Sequence, residues 1–228
     1  MKFPLLSLAL APLAAAHFQL QYPTSRGFDE DTMPEFPCGG MSQSSNRTQL
    51  PISGSFPVAL KMGHSQTAVE VLLALGSNPG DNYNITLVHT FQVTGLGAFC
   101  LPHVEFSSDV LGVNITDGMN ATLQVQSNGD PSGGLYACAD VQFSSSVTYS
   151  EPSSCTNNTN VVASAFSSAA AQRNANESTS TGGAQSSSSD SSSSSNTTST
   201  TSKGAAVPLQ TAAWGLLGAA FAGGMAVL

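Results

Sequence analysis

The sequence predicts an all-β sandwich with long disulfide-pinned loops, followed by a disordered stalk. Short apolar–polar alternations separated by turn residues predict the strands. No 3.6-residue apolar stripe of any length interrupts them between residues 17 and 160. Four cysteines, Cys38, Cys100, Cys138 and Cys155, follow a leader with a secretory pattern, the composition of a chain that forms disulfides.

The chain opens with Lys2, an apolar run over 5–13 and the small-x-small pattern of Ala14 and Ala16, so residues 1–16 read as a signal peptide. Cleavage after Ala16 would leave His17 at the mature N-terminus. Phe18-Gln19-Leu20-Gln21-Tyr22-Pro23 alternates and ends at proline, a short first strand. From Arg26 to Gly40 no period survives, which predicts a long loop. Strands are expected at 56–60, 69–75, 85–93, 121–125 and 135–143, the last two divided by the turn-rich 128–134 segment. From about Ser164, Ser, Thr, Ala and Asn dominate, and such a segment buries too little apolar area to offset its ordering entropy. We therefore expect one domain over 17–160 and a disordered, glycosylated stalk over 161–203.

Beyond the stalk, 212–228 is apolar and uncharged, and small residues precede it at Ser202 and Gly204. This arrangement reads as a GPI-attachment signal over 204–228, removed on lipid transfer to Ser202 or Gly204. N-x-S/T sequons stand at Asn46, Asn84, Asn114, Asn120, Asn157, Asn176 and Asn196. The expected location is the outer face of the plasma membrane or the cell wall, with a monomeric protein.

Between 17 and 160 there are 12 acids against Arg26, Arg47 and Lys61. That balance disfavours nucleic acid and anionic membrane surfaces and suits cations. The two arginines are expected to pair with the Asp29-Glu30-Asp31 run. Four cysteines allow three pairings; we expect Cys38–Cys155 and Cys100–Cys138. No C-x2-C spacing supports a zinc site, and no G-x-S-x-G, H-E-x-x-H or phosphate loop appears. Met33, Met41, Met62 and Met119 form no Met-x-Met cluster, so packing is their expected role.

A mature His17 carries an α-amine and an imidazole on one residue, two nitrogens able to chelate one metal. His89 falls on the apolar face of its strand and is expected buried, and His103 is expected in a loop without a ligand role. His64 lies in a turn at a strand end and is the better partner for His17. Amine, His17 ring and His64 ring make a T-shaped three-nitrogen set that favours Cu(II). Binding at neutral pH displaces a proton from the amine, whose ordinary pKa is about 7.7–8.0.

Tyr136-Ala137-Cys138 resembles the Tyr-x-Cys corner of immunoglobulin-like sandwiches, although Trp214, the only tryptophan, lies in the tail. His17-Phe18, Tyr22-Pro23, Arg26-Gly27-Phe28-Asp29-Glu30, Cys38-Gly39-Gly40, Asn46-Arg47-Thr48, Gly97-Ala98-Phe99-Cys100, Ala121-Thr122-Leu123-Gln124-Val125 and Leu135-Tyr136-Ala137-Cys138-Ala139-Asp140-Val141 together resemble one fungal family. It is the GPI-anchored, copper-binding family related to lytic polysaccharide monooxygenases, copper acquisition factors included. The resemblance implies an immunoglobulin-like β-sandwich with a histidine brace of His17 and His64, and Asp140 as a further ligand beside one Cu(2+) per chain. It implies a role in copper acquisition or homeostasis, with no polysaccharide cleavage. A membrane copper transporter is an expected partner. Two other readings compete: a copper-dependent monooxygenase acting on a wall glycan, and a structural wall glycoprotein without metal.

Overall fold

The computed structural model describes residues 17–129 and 132–186. The signal segment, Asn196 and the proposed lipid-attachment region at Ser202 and Gly204 lie outside the described residues. Two sheets form the sandwich. The smaller has the order β1-β3-β6, from β1 (Phe18–Tyr22), β3 (Gly54–Met62) and β6 (Gly97–Phe106), all antiparallel. The larger has the order β2-β8-β7-β4-β5-β9. Its strands are β2 (Thr48–Pro51), β4 (Gln66–Leu75), β5 (Ile85–Thr94), β7 (Asn120–Asn128), β8 (Gly134–Ser144) and β9 (Val162–Ala165). It is a mixed sheet, because β2 joins β8 in parallel.

The core lies between the sheets. Leu60 and Met62 of one sheet face a row containing Val71, Leu73, Leu123, Val125 and Val141 of the other, all buried. Phe106 bridges the layers, with ring centroids 5.5 Å from Phe56 and 5.2 Å from Phe143. Each buried apolar side chain of this size contributes on the order of 1.5–3 kcal/mol.

The strand pattern held where alternation was clear and failed in β6 and along β5. β6 was expected to contain a loop around Pro102 and His103, yet it runs unbroken to Phe106. Pro102 is tolerated because β6 is an edge strand, and Pro57 of central β3 sits at the register shift between Phe56 and Val58. His103 is therefore a strand residue, exposed, stacked on Tyr149 at 4.8 Å and 3.1 Å from the Ser55 hydroxyl. His89 is exposed, not buried. The β4–β5 ladder shifts register twice around Val71, which disturbs the simple alternation along β5.

The cysteines pair as Cys38–Cys138 and Cys100–Cys155, correcting the expected pairing. Cys138 sits mid-strand on the outer face of the larger sheet, and the 24–46 loop lays Cys38 over that face beside Leu72, Ala74 and Tyr83. Cys100 lies in the smaller sheet, so it cannot reach Cys138; it takes Cys155 from the segment after β8.

Residues 162–186, expected to belong to the stalk, are part of the fold. β9 pairs with the edge of β5, Phe91 opposite Ala165 and Thr94 opposite Val162. The segment then turns through α2 (Ser168–Ala171) and a 3-10 turn, Ala175–Glu177, across the outer face of the larger sheet. Composition concealed this because the segment docks through polar groups. Thr90 donates to the Arg173 carbonyl at 2.7 Å, Gln92 to the Ser180 carbonyl at 2.6 Å, and the Ala175 N–H donates to Glu70 at 3.0 Å.

Glu70 is 3% exposed and also accepts from the Gln126 amide. Burial raises its pKa, only partly opposed by the Ala175 and Gln126 hydrogen bonds and by His89. A raised folded-state pKa means a contribution that is full below the unfolded value of about 4.3 and is lost as pH rises through the folded value. The wild-type melting temperature should therefore fall more steeply than that of Glu70→Gln as pH rises above 4. Parallel melting curves from pH 4 to 8 would remove Glu70 as the cause.

Candidate metal centre

The pairing of β1 with β3 brings the backbone positions of the two expected ligands close. Phe18 pairs with Met62, and the next step of that ladder is the Gly63 N–H donating to the His17 carbonyl at 2.9 Å. His64 is thus one residue from the partner of His17. Gly63 is needed for the approach, since a Cβ there would stand 2.5 Å from the His17 carbonyl oxygen. A shallow cleft of about 150 Å³ opens beside this corner, lined in part by His17, Phe28, Glu30 and Met62.

Both rings are oriented by backbone carbonyls. His17 Nε2 lies 3.0 Å from the Glu30 carbonyl oxygen. A carbonyl only accepts, so Nε2 carries the proton and Nδ1 the lone pair. His17 Nδ1 is buried and has no hydrogen-bond partner. Phe28 closes over the ring edge-on, centroids 6.5 Å apart, while remaining 39% exposed itself.

His64 has the opposite assignment. Its Nδ1 lies 2.8 Å from the Gln66 carbonyl, so Nδ1 carries the proton and Nε2 the lone pair. The Gln66 N–H stands 3.5 Å from the same Nδ1, too long to reverse the choice. This outer hydrogen bonding is how proteins fix the tautomer of metal-binding histidines.

Asp140 is engaged by Arg26, Ser44 and Thr122. It is 1% exposed on β8, with both oxygens occupied. Arg26 holds it in a two-point grip, Nε at 2.9 Å and Nη2 at 2.8 Å, the Ser44 N–H donates at 2.7 Å and the Thr122 hydroxyl at 3.0 Å. Burial pushes its pKa up, but the Arg26 hydrogen bonds, the Ser44 N–H, the Arg26 charge and Thr122 outweigh it and hold the carboxyl below its usual value. Arg47 Nη1 stands 3.7 Å away. Asp140 is the buried partner of both arginines, which were expected to pair with residues 29–31. Among the described residues, no group of three or more His, Cys, Asp or Glu is arranged to hold a metal.

Residues 15–160 match the family model described as "Copper acquisition factor BIM1-like". The chain belongs to the BIM1-like copper acquisition factor family. Within this family setting, it is 66% identical to an uncharacterized protein of Aspergillus fumigatus over 242 aligned residues, covering 100% of both chains. It is 33% identical to copper acquisition factor BIM1 of Cryptococcus neoformans var. grubii, over 70% of this chain and 75% of that one. It is also 33% identical to the lytic polysaccharide monooxygenase-like protein ham-7 of Neurospora crassa, over 70% of this chain and 79% of that one.

In this BIM1-like domain, sequence reasoning missed the Glu30 and Gln66 carbonyls and the Phe28 ring. Backbone acceptors leave no mark in residue identity. The acidic run did carry one clue: Asp29 Oδ1 accepts from the Asp31 and Thr32 N–H groups at 2.9 and 3.3 Å, forming the turn that presents the Glu30 carbonyl.

Proposed function

We propose that the mature chain begins at His17 and binds one Cu(II) through the α-amine and Nδ1 of His17 and Nε2 of His64, as a cell-surface protein of copper acquisition. The observation that supports this most is the buried, unpartnered Nδ1 of His17. Nδ1, not Nε2, is the ring nitrogen close enough to the residue's own α-nitrogen to close a six-membered chelate. Its proton-bearing Nε2 is already committed to the Glu30 carbonyl. Two imidazoles and an amine suit Cu(II), which tops the divalent affinity order.

The family and its named relatives support copper as the cargo. The leader, the Ser-rich segment and the apolar tail of the sequence support export and a GPI tether at Ser202 or Gly204. A tethered domain would collect Cu at the wall and pass it to a membrane copper transporter. Copper EPR on secreted, N-terminally processed protein tests the site: one Cu(II) per chain with hyperfine structure from three nitrogens is expected. In His64→Ala one nitrogen should be lost and affinity should drop by at least about 10-fold, the scale of losing even an outer-shell partner. An unchanged spectrum in His64→Ala would end the assignment.

Oxidation of a wall polysaccharide by the same copper is the second reading. It is favoured by the names of relatives such as ham-7 and by Phe28, an exposed aromatic beside His17. Reductant-dependent release of oxidised oligosaccharides from chitin or β-glucan would establish it, and a flat time course on both would dismiss it.

A further inference from the structure

A groove lies at the other end of the domain from His17. β3 runs from this groove at Gly54 to the metal corner at Gly63, a span of roughly 30 Å at the strand rise. The groove holds about 540 Å³ and is lined by Ile52, Ser53, Phe106, Ser107, Asn114 and Ile115, among others. A second lobe of about 330 Å³ shares Gly54, Phe106 and Ser107 and adds Ser55 and Val110. Val110 is 48% exposed and Val113 is 42% exposed, so apolar surface gathers on one short segment around α1 (Ser108–Leu111). Of these, Val110 lines the second lobe, so the groove carries exposed apolar surface for an occupant to cover.

The groove's lip carries its own candidate. Asn114 lines it, is exposed, and opens the sequon Asn114-Ile115-Thr116. Other sequons differ. Asn120 Nδ2 donates to the Ser77 hydroxyl at 2.8 Å, and Asn176 Nδ2 donates to the Tyr136 hydroxyl at 3.0 Å, so the atom that would carry sugar is engaged in the fold. Asn46, Asn84 and Asn157 are exposed but line none of the groove.

We propose that Asn114 is N-glycosylated and that the first sugars of its glycan lie in this groove, covering Val110 and Ile115. Attachment requires a lipid-pyrophosphate oligosaccharide donor in the secretory lumen. Asn114 Nδ2 forms a bond to C1 of the first N-acetylglucosamine, the C1–O bond to pyrophosphate breaks, Nδ2 loses one proton and the lipid pyrophosphate departs. The groove's chemistry fits that occupant. Ile115, Val110 and the Phe106 ring offer apolar contact to sugar C–H faces and an acetyl methyl. Ser53, Ser55, Ser107 and Ser108 offer hydroxyls to the sugar's own. Its volume falls in the range of about 300–1,000 Å³ typical of small-ligand sites.

The test uses full-length protein secreted from a glycosylating eukaryotic host, compared with Thr116→Ala, which keeps Asn114 but breaks the sequon, and with Thr116→Ser, which restores it. Glycopeptide mass spectrometry should find Asn114 occupied in wild type and Thr116→Ser only. Amide exchange over 52–56 and 104–116 should be at least about fivefold faster in Thr116→Ala than in the other two, as for a locally uncovered segment. Copper binding at His17 should be equal in all three. An unoccupied Asn114 in wild type, or occupancy with equal exchange in all three proteins, overturns the proposal.

Discussion

A mature chain with one extra residue before His17 is expected to lose tight Cu(II) binding while keeping its fold and melting temperature. The extension converts the α-amine of His17 into a peptide N–H, which removes one donor and the chelate ring it closes. Nδ1 of His17 then acts alone with His64. Altering an outer-shell partner costs about 10–100-fold in metal affinity, so losing a direct donor should exceed about 100-fold. The fold should be untouched because His17 is tied down by its carbonyl to Gly63 and its Nε2 to Glu30, and neither uses the α-nitrogen. Calorimetric titration with Cu(II) against a competing chelator, on processed and extended forms side by side, measures the difference. Equal affinities would show that the amine takes no part, and with it the proposed site would fall.

How much of this was readable beforehand divides along a physical line. Strands with clean alternation, such as the Val69, Val71 and Leu73 series of β4, were legible because the buried face imposes its period on residue identity. That His64 follows the residue opposite His17 comes from the β1–β3 register, which the residues alone do not state; the family resemblance is what singled out this pair. The partners of Asp140 were not legible. A carboxylate on a strand reports neither its face nor its partner, and Arg26 lies 114 positions away. The 161–186 segment misled in the other direction. Its seat on the sheet is a row of polar contacts to Thr90, Gln92, Glu70 and Tyr136. Hydrophobic patterning is blind to contacts of that type, and this segment and the 24–46 loop cover the outer face of β4, β7 and β8.

Asp140→Asn should be among the most destabilising single changes in the domain, at about 3–5 kcal/mol, the cost of leaving a buried charge without its partner. Arg26 depends on it most, while Arg47, 3.7 Å away, also donates to the Ala121, Val141 and Ser77 carbonyls. The Arg26 guanidinium meets the carboxylate at two points and reaches the Cys38 sulfur at 3.3 Å, and the side chains of Arg26 and Arg47 are only 8% and 10% exposed. Asparagine would keep the shape but present an N–H₂ to donors already aimed at that oxygen. The loop is fastened here at both ends: the Arg26 N–H donates to the Cys138 carbonyl at 2.8 Å and the Ser44 N–H to Asp140 at 2.7 Å. Between those points lie Phe28 and Glu30, which touch the His17 ring, so Asp140 bears on the metal corner through the loop's position. The pH dependence has a fixed sign. Its depressed folded-state pKa contributes stability that is present above the unfolded value of about 3.9 and is lost as pH falls through the folded value. Wild type should therefore show an acid-side loss of stability that Asp140→Asn lacks. Urea unfolding at pH 7 and pH 3 reads both effects, and Cu(II) affinity measured on the folded fraction separates support from ligation. A variant of wild-type stability that has lost its copper would make Asp140 a ligand after all. A weakened fold that still binds copper within about 10-fold, less than an outer-shell partner of the metal can cost, is the outcome its place beneath the 24–46 loop requires.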